Sequence, residues 1–188
     1  MRLDGERLDP LTGHEDLVVD LAVSPRGEVA TASLDGTVRL FDARGSGRVI
    51  EQHEATSSAV AFSPDGARLA TGDGHGVVRV RDARTGEQRG SFPIARARID
   101  RVTWSDDGRS LVIVGDGRVR VIDADTGALR RMETAPSAHG AWLAPGGARL
   151  VYADGRRLVR TALELPLARD AASLLRWAEG RAGPGLTE

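Results

Sequence analysis

Few side chains in this sequence could carry covalent or metal chemistry. The chain has no cysteine, and all 26 of its basic residues are arginine. These absences exclude a thiol nucleophile, a thiolate zinc site, a disulfide, a Schiff-base lysine and a phosphate-binding lysine. No serine, histidine and acidic residue follow the pattern of a nucleophile elbow. We therefore expect no catalytic residue, no cofactor and no enzyme activity.

The histidines and acidic loops do not predict a metal site either. The segment from Asp123 to Gly127 resembles the start of a calcium loop, but the equivalent segment from Asp82 to Gly86 has Arg84 in place of the second acidic ligand. A plain turn explains both segments. The four histidines lack the spacing of a helical or cysteine-flanked metal site; they are His14, His53, His75 and His139.

Length and charge limit the classes of protein. The 188 residues are 40% hydrophobic, which suits one domain or one repeat array. The net charge of -1 provides no field that would attract nucleic acid or an anionic membrane. Residues 1–10 lack an apolar leader, and no apolar run is long enough to span a bilayer. We expect a cytoplasmic protein, and arginine without lysine or asparagine is typical of a GC-rich bacterial genome.

The chain repeats with a period of about 40 residues. A turn tetrapeptide that begins as Ser24-Pro25-Arg26-Gly27 recurs at residues 63–66, 105–108 and 144–147, with spacings of 39, 42 and 39. A second mark agrees, because an aspartate follows an alternating apolar run at Asp42, Asp82 and Asp123. Each period therefore has the same internal order of elements.

Each period predicts a four-stranded antiparallel meander. Short runs rich in valine and leucine alternate with Ser-Pro and Asp-Gly turns, whose residues favour tight reversals. The predicted strands are 18–23, 28–32, 37–41 and 48–51; 58–62, 68–71, 77–81 and 87–92; 100–104, 110–114, 118–122 and 129–132; and 140–143, 149–153 and 157–161, with a weaker strand over 162–165.

This pattern resembles the WD-repeat β-propeller family, which opens each repeat with Gly-His, here Gly13-His14, and closes it on Trp-Asp. The closing aspartates are present, but Phe41, Arg81 and Ile122 stand where the family has tryptophan. The resemblance implies an all-β fold of four four-stranded antiparallel blades, a partial or half propeller. Its repeats cover residues 13–52, 53–94, 95–133 and 134–165, with residues 1–11 as a closing strand.

The resemblance also implies a buried hydrogen-bond network in each repeat. The positions that it assigns are His14, Thr31 and Asp35 in the first repeat and His53 and Thr71 in the second, where His75 replaces the aspartate. The third repeat has Ala95, Val112 and Asp116 at these positions. We therefore expect the first blade to be the best ordered.

Four blades of this kind sweep only about half a circle, because propellers have four to eight blades and WD-like ones lie at the upper end. Two blade faces would stay exposed. Three outcomes remain open: a homodimer that forms an eight-bladed ring, a partner that supplies the missing blades, and a decayed or truncated propeller. Trp142 lies in an otherwise small row with Ala22, Ala61 and Thr103, and we expect it to pack on a second chain or on a terminal helix.

Two further surfaces are candidates for binding. Glu15, Asp16 and Glu54 occupy the loops before the first two blades, and Arg96, Arg98 and Arg101 occupy the start of the third. We expect a bipolar face that suits a charged protein partner better than nucleic acid. Residues 166–188 predict an amphipathic helix and tail, in which Leu174 and Trp177 lie on or beside the apolar stripe and would contact a blade or a partner.

The function predicted from these features is that of a non-catalytic scaffold for protein–protein interactions, completed by self-association or by a partner. Rigid blades would present loops on which a few large or charged side chains provide most of the binding energy. The alternative is a propeller that binds a small ligand or a carbohydrate in a central channel or between blades. An aromatic content of 4% argues against a site that stacks on sugars.

Overall fold

A computed structural model describes residues 10–42 and 44–163. This part of the chain is all-β, with 15 strands in four antiparallel sheets and no helix. Strands are paired in chain order within every sheet, so each sheet is a meander. We call the sheets blades one to four.

The strands of each blade have the following bounds. Blade one contains β1 (Val18–Val23), β2 (Val29–Ser33), β3 (Thr37–Phe41) and β4 (Gly47–Gln52). Blade two contains β5 (Ser57–Phe62), β6 (Arg68–Asp73), β7 (Val77–Asp82) and β8 (Gln88–Pro93). Blade three contains β9 (Ile99–Trp104), β10 (Ser110–Gly115), β11 (Arg118–Asp123) and β12 (Leu129–Thr134). Blade four contains β13 (Ala138–Leu143), β14 (Arg149–Asp154) and β15 (Arg157–Ala162).

The turn between the first two strands explains why the tetrapeptide recurs. In blade two, Ser63 Oγ donates to Asp65 Oδ1, and the Arg68 backbone N–H donates back to Ser63 Oγ at 2.9 Å. Gly66 has a φ of +68°, a left-handed conformation that glycine adopts without strain. The serine and the aspartate therefore satisfy the turn's backbone while the glycine reverses it.

The aspartate that closes each repeat caps the turn before the last strand. Asp123 Oδ1 accepts the backbone N–H groups of Asp125 and Thr126, and its other oxygen pairs with Arg130. Burial alone would raise the pKa of Asp123, but the hydrogen bonds from Thr126 and Arg130 outweigh it and lower the pKa to about 2. The segment that resembles a calcium loop is thus a turn whose carboxylate is already occupied.

Neighbouring blades pack through apolar faces. The strongest contacts between blades join their first strands, β1 with β5 and β5 with β9, and β13 packs on β9 and β10. The first junction shows the pattern, because Ala30 and Val38 of blade one enclose Val60 and Leu69 of blade two. At the second junction, Trp104 Nε1 donates to the Ala61 carbonyl at 3.0 Å. The sheets therefore fan out from a row of first strands.

The observed strands begin and end within two residues of the predicted ones. Blade four differs from the expected four-stranded sheet, because it has three strands in the described part of the chain. The sequence predicts a fourth strand over 162–165. Most of the range after Ala162 cannot be compared, because Leu163 is the last residue that the structure describes. The closing strand over 1–11 and the helix over 166–188 lie almost wholly or wholly outside the described residues.

Candidate binding surfaces

Six exposed charged residues lie at or near one rim of the fan, five of them in loops and Arg101 in the first half of β9, and we call this set the charged loop face. Its loops lead into the first strands β1, β5 and β9, which begin at the same rim because successive blades repeat the same meander. All six side chains are exposed: Glu15, Asp16, Glu54, Arg96, Arg98 and Arg101. The acidic residues belong to blades one and two and the basic residues to blade three, so the face carries opposite charges at its two ends.

Hydrogen bonds hold the acidic part of this face in place. Asp35 Oδ2 accepts the Glu15 backbone N–H at 2.9 Å. Ser33 Oγ donates to the Asp16 carbonyl at 3.1 Å. Arg98 Nε lies 3.5 Å from Asp100 Oδ1 at the basic end, an exposed contact that stabilises little. Five of the six charges are therefore presented on loops that the blades position, and Arg101 is presented by β9 itself.

In blade one the structure brings together the three network residues assigned by resemblance. His14 Nε2 lies 2.7 Å from Thr31 Oγ1, and His14 Nδ1 lies 2.9 Å from Asp35 Oδ2. Thr37 also donates to Asp35, through both its hydroxyl and its backbone N–H, at 2.7 Å. Burial alone would raise the pKa of Asp35, but bonds from Thr37, Glu15 and His14 hold it well below its usual range.

Blade two has a different network. His53 and Thr71 are both buried, but they meet through Glu51, which Thr71 Oγ1 contacts at 2.7 Å. Glu51 belongs to β4, the last strand of blade one, so this contact joins two blades. Glu51 Oε1 also lies 3.2 Å from Arg81 and 3.6 Å from Arg79.

His53 is held neutral inside this cluster. An arginine nitrogen, Arg79 Nη1, donates to His53 Nδ1 at 2.7 Å, so Nδ1 is an acceptor and carries no proton. His53 Nε2 lies 3.6 Å from Glu51, too far for a hydrogen bond, and has no partner among the described residues. Burial lowers the pKa of His53, and the surrounding carboxylates only partly oppose this effect.

The sequence did not identify the two carboxylates of this cluster. His75 is exposed and takes no part in it, and Asp73 occupies the place expected for it, 2.7 Å from Arg79 Nη1. Glu51 precedes His53 by two residues, but its role depends on the packing of one blade on the next.

Blade three contains no such network, and its register corrects one expected position. Thr31 and Thr71 pair with Leu21 and Val60, and the matching pair in blade three is Ile113 with Val102. The equivalent residue is therefore Ile113, not Val112. The spacing of 42 residues between the second and third turns leads to the same position. Blade three has an ion pair instead, in which Arg120 Nη1 of β11 lies 2.7 Å from Asp116 Oδ1 in the preceding turn.

The face of blade one that points away from blade two has exposed apolar side chains. We call this surface the blade-one end face and define it by Leu21, Val23, Val29 and Val49. Leu21 is 62% exposed, whereas the residues at the same register in blades two, three and four are almost fully buried: Val60 is 3%, Val102 2% and Ala141 1% exposed. A neighbouring blade buries this position three times. In blade one no described residue does so.

The face of blade four that points away from blade three also has exposed apolar side chains. We call this surface the blade-four end face and define it by Trp142, Val151, Ala153 and Leu158. Leu158 is 71% exposed, but the residues at its register, Val38, Val78 and Val119, are all 0% exposed. Trp142 is 52% exposed, and its ring lies over Gly140 of its own strand. The other predicted interface residues, Leu174 and Trp177, lie outside the described residues.

Metal-binding clusters and membrane-spanning helices are both absent from the part of the chain that the structure describes. No group of three or more histidine or acidic side chains could hold a metal ion there. No helix there is long and apolar enough to cross a membrane.

Residues 5–42 and 45–82 match the family model "WD domain, G-beta repeat". These two stretches of the chain are therefore similar to WD repeats. The first matched stretch contains β1 to β3 and the Gly-His opening, and the second contains β4 to β7 and His53.

Known proteins are similar to this chain over part of their length. The chain is 37% identical to human Coronin-7 over 112 residues, which cover 56% of this chain and 12% of that protein. It is 37% identical over 82 residues to a guanine nucleotide-binding protein subunit beta of Oryza sativa subsp. japonica, covering 41% of this chain and 22% of the relative. The chain thus spans less than a quarter of either relative.

Solved structures show the same fold. A chain in the "Crystal Structure of Mitotic Checkpoint Complex" superposes with a TM-score of 0.69 at 22% identity. The match covers 79% of this chain and 50% of that chain. The blades are therefore arranged as in that structure, over half of its length.

Proposed function

We propose that this protein is a non-catalytic scaffold for protein–protein interactions, which binds a partner on the charged loop face and is completed at its end faces by self-association or by another chain. WD-repeat propellers are typical interaction scaffolds, and the structural neighbour belongs to a multi-protein complex. The charged loop face carries the proposal. It places three exposed acidic and three exposed basic side chains on one rim.

The charge arrangement favours a protein partner of mixed charge. A surface with both signs separated along its length gives orientation to an approaching protein and penalises a uniformly charged one. Duplex nucleic acid presents one sign of charge throughout, so the acidic end of the face would repel it. The chain's net charge of -1 also provides no general attraction for an anionic polymer.

Affinity capture with matched variants tests this proposal. The double variant Arg96→Glu with Arg98→Glu reverses the basic end of the face. The control, Arg26→Glu with Arg84→Glu, changes the net charge equally at two exposed positions in turns on the opposite rim. We expect wild-type protein and the control to retain the same partner and the loop-face variant to lose it. Equal retention by all three proteins contradicts the proposal.

A cleft supports the alternative of small-ligand binding. It has a volume of about 350 Å³ and lies beside β8, β11 and β12, where its lining includes Arg96, Arg118, Arg120 and Met132. Arg120 is paired with Asp116, which leaves Arg96 and Arg118 to attract an anion. A thermal-shift screen with sugars and small anions tests this function. A shift that Arg118→Ala removes would support it, and no shift with any compound would exclude it for those compounds.

A further inference from the structure

Among the described residues, 10–42 and 44–163, the two end faces are the apolar surfaces on which no other blade packs. At the first junction inside the fan, Val38 and Ala30 of blade one pack on Val60 and Leu69 of blade two. The other junctions use the residues at the same registers. Leu158 and Val151 occupy the first pair of registers in blade four, and Leu21 and Val29 occupy the second pair in blade one. The chain therefore carries both halves of one more junction.

We infer that these two halves meet between two copies of the chain: the blade-four end face of each copy packs on the blade-one end face of the other, which closes a ring of eight blades. This inference rests on the part of the proposed function in which the end faces are completed by self-association. It selects the second copy as the occupant. A two-fold axis relates the copies, so both junctions have the same structure.

The number of blades and the area of contact both suit such a ring. Eight blades lie within the range of known propellers, which extends from four to eight. A face of three or four strands, each about six residues long, measures about 14 to 19 Å by 20 Å. The four faces of a dimer then bury roughly 1,300 Å² in all, an area within the range of stable, specific interfaces, about 1,200 to 2,000 Å².

The composition of the end faces also fits a blade as the occupant. The residues that define them are apolar, like the clusters at the junctions inside the fan, while the exposed Arg160 lies beside Val151 on the blade-four end face. The ring of Trp142 lies over Gly140 of its own strand. Exposed apolar patches of this kind mark interaction sites in soluble proteins. A polar or highly charged partner would leave Leu21 and Leu158 without a matching surface.

Two charge variants and their mixture test the inference. Leu21→Arg places a cation on the blade-one end face, and Leu158→Glu places an anion on the blade-four end face. Both residues are exposed in the single chain, so each variant should fold with an unchanged far-UV spectrum. Leu129→Arg changes an equally exposed leucine away from both end faces and serves as the control.

Light-scattering mass gives the readout. We expect twice 20.0 kDa for the wild type and the control, and 20.0 kDa for each end-face variant alone. An equimolar mixture of the two variants should regain the doubled mass, because one junction of the mixed dimer is native and the other pairs the introduced charges.

Three results overturn the inference: a folded wild type at 20.0 kDa, end-face variants that keep the doubled mass, or a mixture that stays at 20.0 kDa. A mass above two chains also overturns it, because an open head-to-tail assembly would not be a closed ring. If the wild type is a monomer but the Arg96→Glu, Arg98→Glu variant still loses the partner that its control retains, the scaffold function stands and only the ring is excluded. The two proposals therefore fail separately.

Discussion

Thr71 of blade two donates a hydrogen bond of 2.7 Å to Glu51 of blade one, so a buried polar contact joins neighbouring sheets. The same carboxylate lies 3.2 Å from the guanidinium of Arg81. Its side chain is almost fully buried, and a carboxylate in such a place must be paired to remain charged. Glu51 therefore links the packing of two blades to the positions of two arginines and a histidine.

Glu51→Gln should destabilise the protein by about 2 kcal/mol, because it removes the charge that faces Arg79 and Arg81 while preserving an acceptor for Thr71. Thr71→Val should cost about 1 kcal/mol, the value of one ordinary hydrogen bond. Urea unfolding measures both effects, with the exposed Glu54→Gln as the control. Equal stability of the Glu51 variant and the control contradicts the linking role.

The buried His53 predicts a pH dependence of stability. Its pKa is lowered from 6.5 in the folded protein, so between these two values the unfolded chain binds a proton that the folded chain does not. The free energy of unfolding is therefore greatest above pH 6.5 and decreases as the pH falls, by at most about 1.4 kcal/mol per pH unit for one proton. Denaturant titrations between pH 7 and pH 5 measure this slope.

His53→Gln supplies the comparison, because glutamine does not titrate in this range. The variant should lose part of the wild-type slope, whatever its absolute stability. Identical slopes for the two proteins would show that His53 does not contribute.

Asp35→Asn should destabilise blade one by about 2 kcal/mol, because the carboxylate accepts hydrogen bonds from His14, Thr37 and the Glu15 backbone. The loop carrying Glu15 loses its anchor in this variant, so amide hydrogen exchange at Glu15 should accelerate. Asp106→Asn, at an exposed turn position, is the matched control. Unchanged exchange at Glu15 would separate the network from the loop face.

Trp142→Ala should weaken the association of two chains. About half of the indole is exposed in the single chain, and covering it is worth on the order of 2 to 3 kcal/mol per junction. Sedimentation equilibrium should therefore show a dissociation constant raised by at least about 30-fold. An unchanged mass and an unchanged melting temperature would remove Trp142 from the interface.

The sequence predicted the strands well because each strand depends on local features. Turn residues such as Ser63 and Gly66 recur with the period, and the apolar positions alternate between them. The same marks predicted the contacts of His14 with Thr31 and Asp35, all of which belong to one blade. Local pattern was therefore sufficient for the network of blade one, but not for Asp73 in blade two, which takes the place expected for His75.

The sequence was less informative where a site depends on two repeats. The role of Glu51 required knowledge of which face of blade one packs on blade two. A β-bulge near the start of each first strand also changes the register there. The exposure of Leu21 and Leu158 was likewise not visible in their residue types, because both look like core leucines. Only the packing shows that they lie on the two end faces.

Cysteine cross-linking tests the paired end faces most directly, because the native chain contains no cysteine. The double variant Leu21→Cys with Leu158→Cys, treated with a short bifunctional maleimide, should yield a covalent product of two chains and nothing larger, and neither single variant should cross-link. A product confined to one chain, a ladder of larger products or no product from the double variant would contradict the eight-blade ring.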